Sequence, residues 1–274
     1  MGTEGDGDWR TTFRPDIPSP ARMYSYFLGG KDHYPADREA AEQVIAISPE
    51  VRLFAMHNRA FLRRVVRYLM TECGIRQFID IGTGLPTDGS VHEVAGKYDP
   101  DVRVVYVDHD PVVLAHGRNM LQGVPGTAII EHDLRDPAGI LADEELRKLI
   151  DFGEPVAVLL VAVLHFIGDE AGPAGLITQL IEPLASGSYL ALSHVTADHR
   201  AEPAEDTRKV KAIYDRTTTS AHPRSHSEIL TLLPGLDLVE PGLVWGPLWR
   251  PDPDTGLADD PGQSNMYAAL ARKL

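Results

Sequence analysis

The chain lacks the features that mark several classes of protein. It has a single cysteine, Cys73, among 274 residues, which excludes a disulfide framework and favours a reducing compartment. No apolar run approaches the roughly 18–20 residues of a membrane span. The formal net charge is −14 and no dense run of lysine and arginine is present. Because such a field repels nucleic acid and anionic membranes, we expect a cytoplasmic protein that binds neither.

Several chemical motifs are also missing. The Walker pattern of phosphate-binding ATPases is absent. No cysteine and histidine set has the spacing of a zinc site, and the carboxylates are scattered instead of forming a cluster of oxygen ligands. The sequence therefore predicts no metal site.

What the sequence does contain is an alternation of helices and short apolar strands. This alternation predicts an α/β fold whose mainly parallel sheet is covered on both faces. We expect a tail at 1–15, an N-terminal lid and helical cap at 16–74, and the sheet domain at 75–274. The predicted strands are 77–81, 102–107, 128–131, 156–163, 189–195, 238–244 and 266–271.

Two helices are expected before the first strand. The first covers 37–47, and the second opens at Ser48-Pro49-Glu50, since serine caps helices and proline suits the first helical position. Asn58 interrupts the apolar stripe of the second helix, so it is either buried with hydrogen-bond partners or facing a ligand. The segment before these helices has no predicted element. Later in the chain, Asp169 is expected to cap a helix ending near 184, and 246–263 to form an exposed loop.

Polar residues follow each of the first strands. Asp80-Ile81-Gly82-Thr83-Gly84 places a glycine-rich turn after strand one, where the backbone can approach a ligand. Asp108 ends strand two, where a carboxylate can accept hydrogen bonds from both hydroxyls of a ribose. Asp133 follows strand three, where it could accept from an adenine amino group, and residues 162–165 end strand four. The pattern predicts a nucleoside site.

Two details disfavour a dinucleotide. The third glycine of the dinucleotide pattern would stand at position 87, which is Thr87. Asp80 precedes the turn where a pyrophosphate would lie, and a carboxylate there repels phosphate. The same carboxylate attracts the ammonium of a methionine tail and a nearby sulfonium. An NAD(P)-dependent oxidoreductase stays an alternative.

These motifs resemble those of class I methyltransferases. Asp80-x-Gly82-x-Gly84 is similar to their first motif and Asp108 to the acid of their second, although Pro86 replaces the family's third glycine. Nearly the whole chain resembles an actinobacterial family of S-adenosylmethionine-dependent methyltransferases, formerly a domain of unknown function. The most specific stretches are 21–32, 58–62, 77–86 and 104–111. The resemblance implies a Rossmann-like, seven-stranded, mostly parallel sheet and S-adenosylmethionine as cofactor.

The site residues follow from position and from this resemblance. In the N-terminal segment, Arg22 or Lys31 would pair with the cofactor carboxylate and a tyrosine would close the pocket as a lid; the alternative is a loop tethered to the helical cap. The residues assigned to the cofactor are Arg22, Tyr24, Tyr26, Lys31, Asn58, Asp80, Gly82, Thr83, Gly84, Asp108, His109, Asp133, Leu134 and Ala162.

Two histidines are candidates for a general base. His165 follows strand four, and Val163-Leu164-His165-Phe166 resembles the Leu-His-Asp-Trp region of small-molecule O-methyltransferases, whose histidine is the base. The alternative is a hydrogen-bonded histidine that shapes the pocket. His194, which ends strand five, is the second candidate. No Asn-Pro-Pro-Tyr or Asp-Pro-Pro-Tyr run follows strand four, which argues against methylation of adenine N6 or glutamine.

The sequence thus predicts a methyltransferase that acts on an oxygen or nitrogen of a small molecule. The acceptor and the oligomeric state are left open. From another functional class, a regulator that binds the cofactor without turnover is the main alternative.

Overall fold

The computed structural model describes residues 14–199, 204–252 and 260–274. The predicted tail at 1–15 lies outside these ranges except for its last two residues. Within the described ranges, no helix has both the length and the apolar character needed to cross a membrane.

The chain alternates helices and strands as expected. The helices are α1 (Pro20–Phe27), α2 (Pro35–Ile47), α3 (Val51–Thr71), α4 (Val91–Ala95), α5 (Pro111–Met120), α6 (Pro137–Ala142), α7 (Glu144–Leu149), α8 (Pro173–Ile181), α9 (Ala204–Tyr214) and α10 (His226–Thr231). The strands are β1 (Gln77–Ile81), β2 (Arg103–Asp108), β3 (Thr127–Glu131), β4 (Ala157–Val161), β5 (Tyr189–Val195), β6 (Asp237–Leu238), β7 (Val244–Trp245) and β8 (Met266–Arg272).

The strands form one mostly parallel sheet. Its order is β3-β2-β1-β4-β5-β8-β6, with β7 also pairing with β8. Strands β1 to β5 are parallel and β8 is antiparallel to β5. The predicted mostly parallel sheet is confirmed, but the single strand expected at 238–244 is wrong. It is split into β6 and β7, because Pro241 has no N–H for the ladder and Gly242 has a φ of +85°.

The sheet separates two apolar cores. Phe78 of β1 and Tyr106 of β2 face the core that contains α1 to α3, whereas Ile79 of β1 faces the opposite core. Side chains alternate along a strand, so Asp80 and Asp108 face the side of α1 to α3. The boundary predicted at residue 74 falls between α3 and β1, and the helices before it share their core with the sheet.

The N-terminal segment differs from its predicted form. Residues 20–27 form α1, with Pro20 in the first helical turn, where its lack of an N–H costs nothing. Helix α3 begins at Val51 instead of Pro49; its N-cap is Glu50, whose carboxylate accepts a hydrogen bond from the Ser48 hydroxyl at 3.1 Å. A helix at 20–27 fixes which of its side chains face the sheet.

Two later predictions are also corrected. Asp169 does not cap the helix predicted to end near 184. It opens a single 3₁₀ turn, and that helix, α8, starts after Gly172, which has a φ of +63°. The carboxylate of Asp169 instead accepts from Arg224 at 2.6 Å. The loop expected to be exposed carries Trp249, which is fully buried in edge-to-face contact with Phe61 and Tyr68. Residues 253–259 of that loop lie outside the described ranges.

Candidate functional site

A cleft of about 1210 Å³ opens at the carboxyl ends of the parallel strands. It lies where the strand order reverses between β1 and β4, the position at which open α/β sheets bind ligands. Helices α1 and α3 form its other wall, through residues that include Tyr24 and Asn58. The fold therefore brings the N-terminal helices and the predicted nucleoside motif to one cavity.

The glycine turn after β1 requires glycine for two reasons. Gly82 and Gly84 have φ values of +70° and +68°, which L side chains rarely adopt. A Cβ on Gly82 would also lie 2.3 Å from Cγ2 of Val163, in the segment after β4, whereas a Cβ on Gly84 would meet nothing within 4 Å. Gly82 thus permits close packing of two strand ends, and Gly84 leaves space at the cleft wall.

Asp108 is held by the backbone around it. Its Oδ2 accepts from the N–H of Gly84 at 2.9 Å, and its Oδ1 accepts from those of His109 and Asp110 at 2.8 and 2.9 Å. The side chain is buried at the cleft wall, and burial raises its pKa while these N–H groups oppose the rise. Oδ1 already accepts two hydrogen bonds and Oδ2 only one, so the fixed carboxylate keeps acceptor capacity for a ligand at Oδ2.

Asp80 is the second buried carboxylate of the cleft. Burial raises its pKa to about 6, against the lowering effects of the Arg59 charge and of the Thr83 side chain. Arg59 lines the same cleft and donates from Nη2 to the Gly89 carbonyl at 3.1 Å, and its buried Nε has no hydrogen-bond partner in the part of the chain that the structure describes. Asp80 and Arg59 together offer one negative and one positive group, which matches the zwitterionic end of an amino acid.

Asn58 connects α3 to the sheet and to α1. Its Oδ1 accepts from the Ser193 hydroxyl at 2.5 Å, and its Nδ2 donates to the Tyr24 hydroxyl at 2.9 Å. Ser193 in turn accepts from the N–H of Ala162, a residue with a φ of +58°. Asn58 is 3% exposed and lines the cleft. Asn58 is therefore buried with hydrogen-bond partners and also lines the cavity, and contact with a ligand stays a prediction.

His165 lines the cleft from the turn after β4 and packs among other aromatic rings. Its ring is 6.1 Å from that of Phe54 and 4.3 Å from that of Phe166, centroid to centroid. Burial, with smaller contributions from His194, Arg224 and His222, lowers its pKa well below 6.5. Its buried Nδ1 has no hydrogen-bond partner among the described residues. The imidazole is therefore neutral at physiological pH, and in the tautomer with its proton on Nε2 the Nδ1 lone pair can accept a proton.

Most of the predicted site residues lie together. Those that line the cleft are Tyr24, Asn58, Asp80, Gly82, Thr83, Gly84, Asp108, His109, Asp133, Leu134, Ala162 and His165. Their assignment to particular parts of a cofactor stays a proposal.

Three N-terminal residues assigned to the cofactor do not line the cleft. Arg22 is 2% exposed and donates to Asp37 at 2.9 Å and to the carbonyl of Ile17 at 2.7 Å, so its charge is used inside the N-terminal helices. Tyr26 is hydrogen-bonded to Glu42, and Lys31 is exposed to solvent. The helical geometry of α1 turns Tyr24 towards the cleft and Arg22 and Tyr26 away from it, whereas Lys31 lies beyond the end of α1.

His194 is also outside the cleft. It is fully buried, with Nδ1 2.8 Å from the carbonyl of Val195 and Nε2 3.0 Å from Nη1 of Arg224. Burial lowers its pKa to about 4. Since both ring nitrogens are engaged and Arg224 can only donate, Nε2 has no lone pair left for a substrate proton. The structure contradicts a role for His194 as base.

Sequence reasoning missed several cleft residues. Arg59 follows Asn58 in the chain, but adjacent residues of a helix lie about 100° apart, so the stripe that marks Asn58 does not mark Arg59. Phe54 is one turn earlier on α3. Tyr214 and Thr218 come from the end of α9 and the segment after it, and no motif marks them.

Comparison with known proteins identifies the family. A family model described as S-adenosyl methyltransferase matches residues 9–274. The chain belongs to the S-adenosyl methyltransferase family. Membership confirms the predicted activity and cofactor class, and it sets aside the oxidoreductase alternative. No match was found among curated proteins.

Solved structures agree with this membership. A DUF574 family protein from Streptomyces avermitilis is 42% identical to the methyltransferase, with a TM-score of 0.89 over 95% of this chain and 100% of its own. A protein from Thermobifida fusca assigned to the methyltransferases is 38% identical, with a TM-score of 0.86 over 94% of this chain and 96% of its own. An O-methyltransferase family protein from Burkholderia thailandensis, 15% identical with a TM-score of 0.50 over 91% of this chain and 63% of its own, shares the fold.

Proposed function

We propose that this methyltransferase acts on an oxygen or nitrogen atom of a small molecule. The observation that carries the proposal is His165, a buried neutral imidazole that lines the same cleft as Asp80 and Asp108 and whose Nδ1 has no hydrogen-bond partner among the described residues. A single cysteine and a strongly acidic charge support a cytoplasmic protein without a nucleic acid or membrane partner.

The residues of the cleft fit S-adenosylmethionine. Asp108, already oriented by three N–H groups, would accept from the ribose through Oδ2, and Asp133 with Leu134 would hold the adenine. Asp80 would bind the ammonium and Arg59 the carboxylate of the methionine end. Gly82 would let the turn approach the cofactor without a side chain in between, and any side chain at this position would meet Val163.

The chain's own residues contribute alignment and a proton acceptor. When bound, the cofactor supplies a methyl carbon that an acceptor lone pair displaces from sulfur, and the bonding pair stays on the neutral thioether. His165 takes the proton that the acceptor oxygen or nitrogen loses as it becomes cationic. A weakly basic imidazole suffices, because the proton becomes strongly acidic as the new bond forms. Phe54 and Phe166 surround His165 and exclude water from the reaction.

Calorimetry with S-adenosylmethionine, S-adenosylhomocysteine and NAD tests the cofactor side of the proposal. We expect the two methionine-derived nucleosides to bind and NAD to fail. Turnover is then followed by mass spectrometry across a panel of phenols, alcohols and amines. Cofactor binding with no methylation anywhere in the panel would contradict the proposal and favour the regulator without turnover; binding of NAD alone would contradict it outright.

A further inference from the structure

A second cavity adjoins the cofactor cleft. It measures about 740 Å³, including the solvent at its mouth, and lies between α2, α3, α9 and the end of β5. Phe54, His165, Phe166 and Tyr214 line both cavities. Their rings form a row, with centroid separations of 6.1 Å from Phe54 to His165 and 6.0 Å from Phe166 to Tyr214. A single aromatic partition therefore separates the two spaces, and His165 belongs to both.

The second cavity is largely apolar. Its walls include Val44, Val51, Val195 and Val210, in addition to the aromatic partition. Among the described residues that line it, none is a carboxylate and Lys211 is the one ionised side chain. The Lys211 ammonium is paired with Asp215, at 2.7 and 3.0 Å from its two carboxylate oxygens. An ionised ligand would thus enter without a free counter-charge, at a high cost of desolvation.

Two buried polar atoms in this lining have no partner. Asn265 is 8% exposed and its Oδ1 makes no hydrogen bond within the described part of the chain; the same is true of Nδ1 of His165, which is 5% exposed. Buried polar atoms are nearly always satisfied by protein or by a ligand or water. A ligand with two hydrogen-bond donors would satisfy both atoms in an otherwise apolar space.

We infer that the second cavity binds the methyl acceptor, and that the acceptor is a neutral, largely apolar molecule with at least two hydroxyl or amino groups. One of these groups, the nucleophile, gives its proton to His165 at the partition, and another donates to Asn265 Oδ1. This inference rests on the proposed function. It adds the acceptor's location and chemical class, which the cofactor cleft does not provide.

Calorimetry on the protein saturated with S-adenosylhomocysteine tests the inference. The probes share one ring system: 2-naphthol, 2,6-dihydroxynaphthalene and 2-naphthoate. We expect 2-naphthol to bind at least about tenfold more tightly than 2-naphthoate, since burying an uncompensated carboxylate is costly. The second hydroxyl should add about 2- to 10-fold in the wild type and nothing in Asn265→Gly, because glycine keeps the local backbone (φ +49°) and removes the side chain.

A cavity-filling variant locates the binding. Val210 lines only the second cavity, whereas Ala212 on the same helix is exposed and lines neither. Val210→Trp should weaken 2-naphthol binding at least about tenfold while S-adenosylhomocysteine affinity stays within about twofold, and Ala212→Trp should change neither. Methylation of 2-naphthol should fall in parallel.

The outcomes separate the two claims. If the wild type binds S-adenosylhomocysteine but not 2-naphthol, or binds 2-naphthoate as tightly, the assigned chemical class is wrong. If 2-naphthol binding survives Val210→Trp, the acceptor lies elsewhere, and if the second hydroxyl helps Asn265→Gly equally, Asn265 is not its partner. Failure of the wild type to bind S-adenosylhomocysteine would instead contradict the proposed function itself.

Discussion

Replacing Asp80 with asparagine should remove a pH dependence of cofactor binding that the structure builds into the cleft. Burial raises the pKa of Asp80 to about 6 from an ordinary 3.8, so the carboxyl titrates just below neutral pH. Only its ionised form attracts the ammonium of the methionine end. The ionised fraction falls from about 0.9 at pH 7 to about 0.1 at pH 5, so the apparent Kd should rise about tenfold over that interval.

The Asp80→Asn variant keeps the shape of the side chain and loses its charge. At pH 7 it should bind S-adenosylhomocysteine about 10- to 100-fold more weakly, since a charge-assisted hydrogen bond contributes about 1.5–3 kcal/mol. Its affinity should then change much less than that of the wild type between pH 5 and 7. Titration calorimetry across this range measures both effects. Asp133→Asn is the matched control: it removes another cleft carboxylate and should leave the pH slope in place.

The raised pKa of Asp80 also affects the free energy of unfolding. Cofactor affinity rises with pH, whereas the contribution of Asp80 to stability falls with pH. A carboxyl whose folded pKa is raised stabilises the fold below pH 3.8, and this contribution is lost as the pH rises through about 6. At pH 7 the unliganded Asp80→Asn variant should therefore be more stable than the wild type, by up to about 3 kcal/mol. A variant that binds as tightly as the wild type with the same pH slope, or that unfolds more easily at pH 7, would refute this account of Asp80.

Three other substitutions test separate parts of the structure. Gly82→Ala should lower both thermal stability and cofactor affinity far more than Gly84→Ala, because only the first adds a clash to the backbone strain; equal effects in thermal unfolding would contradict the close packing at the strand ends. His165→Ala should lower turnover by about 10²–10⁴-fold while S-adenosylhomocysteine binds within a few fold. With saturating S-adenosylmethionine, wild-type turnover should show no loss as the pH falls through 6.5, because the pKa of His165 lies well below that value; unchanged turnover of the variant would remove His165 as base. Trp249→Ala should cost about 3–5 kcal/mol in denaturant unfolding, and Trp249→Phe much less, since it removes a buried N–H that has no partner within the described ranges.

The sequence could predict the sheet and one side of the cleft because the side chains of a strand alternate between its two faces with a period of two residues. Parallel strands also end at one edge. Carboxylates at the ends of β1 and β2 therefore had to lie near the glycine turn, as Asp80 and Asp108 do. The split of the last predicted strand into β6 and β7 could also be read locally, from Pro241 and Gly242.

The other side of the cleft depended on the tertiary structure. Arg22, Lys31 and Arg59 are all cations of the N-terminal region, and composition alone gives no reason to choose among them. Arg22 forms an ion pair with Asp37 among the N-terminal helices, and Lys31 is exposed to solvent. Arg59 lines the cleft because α3 packs on the sheet.

For His165 and His194, the sequence determined the position in the fold and the tertiary structure determined the hydrogen bonding. His165 follows predicted strand four and His194 ends predicted strand five, so the sequence by itself determined that both lie near the carboxyl edge of the sheet. Whether a histidine keeps a free lone pair depends on its neighbours in space. Arg224, 30 residues away in the chain, occupies the ring nitrogen of His194. Nδ1 of His165 has no hydrogen-bond partner within the described ranges, and the packing of α3 and α9 against the strand ends brings Phe54 and Tyr214 to the same cleft.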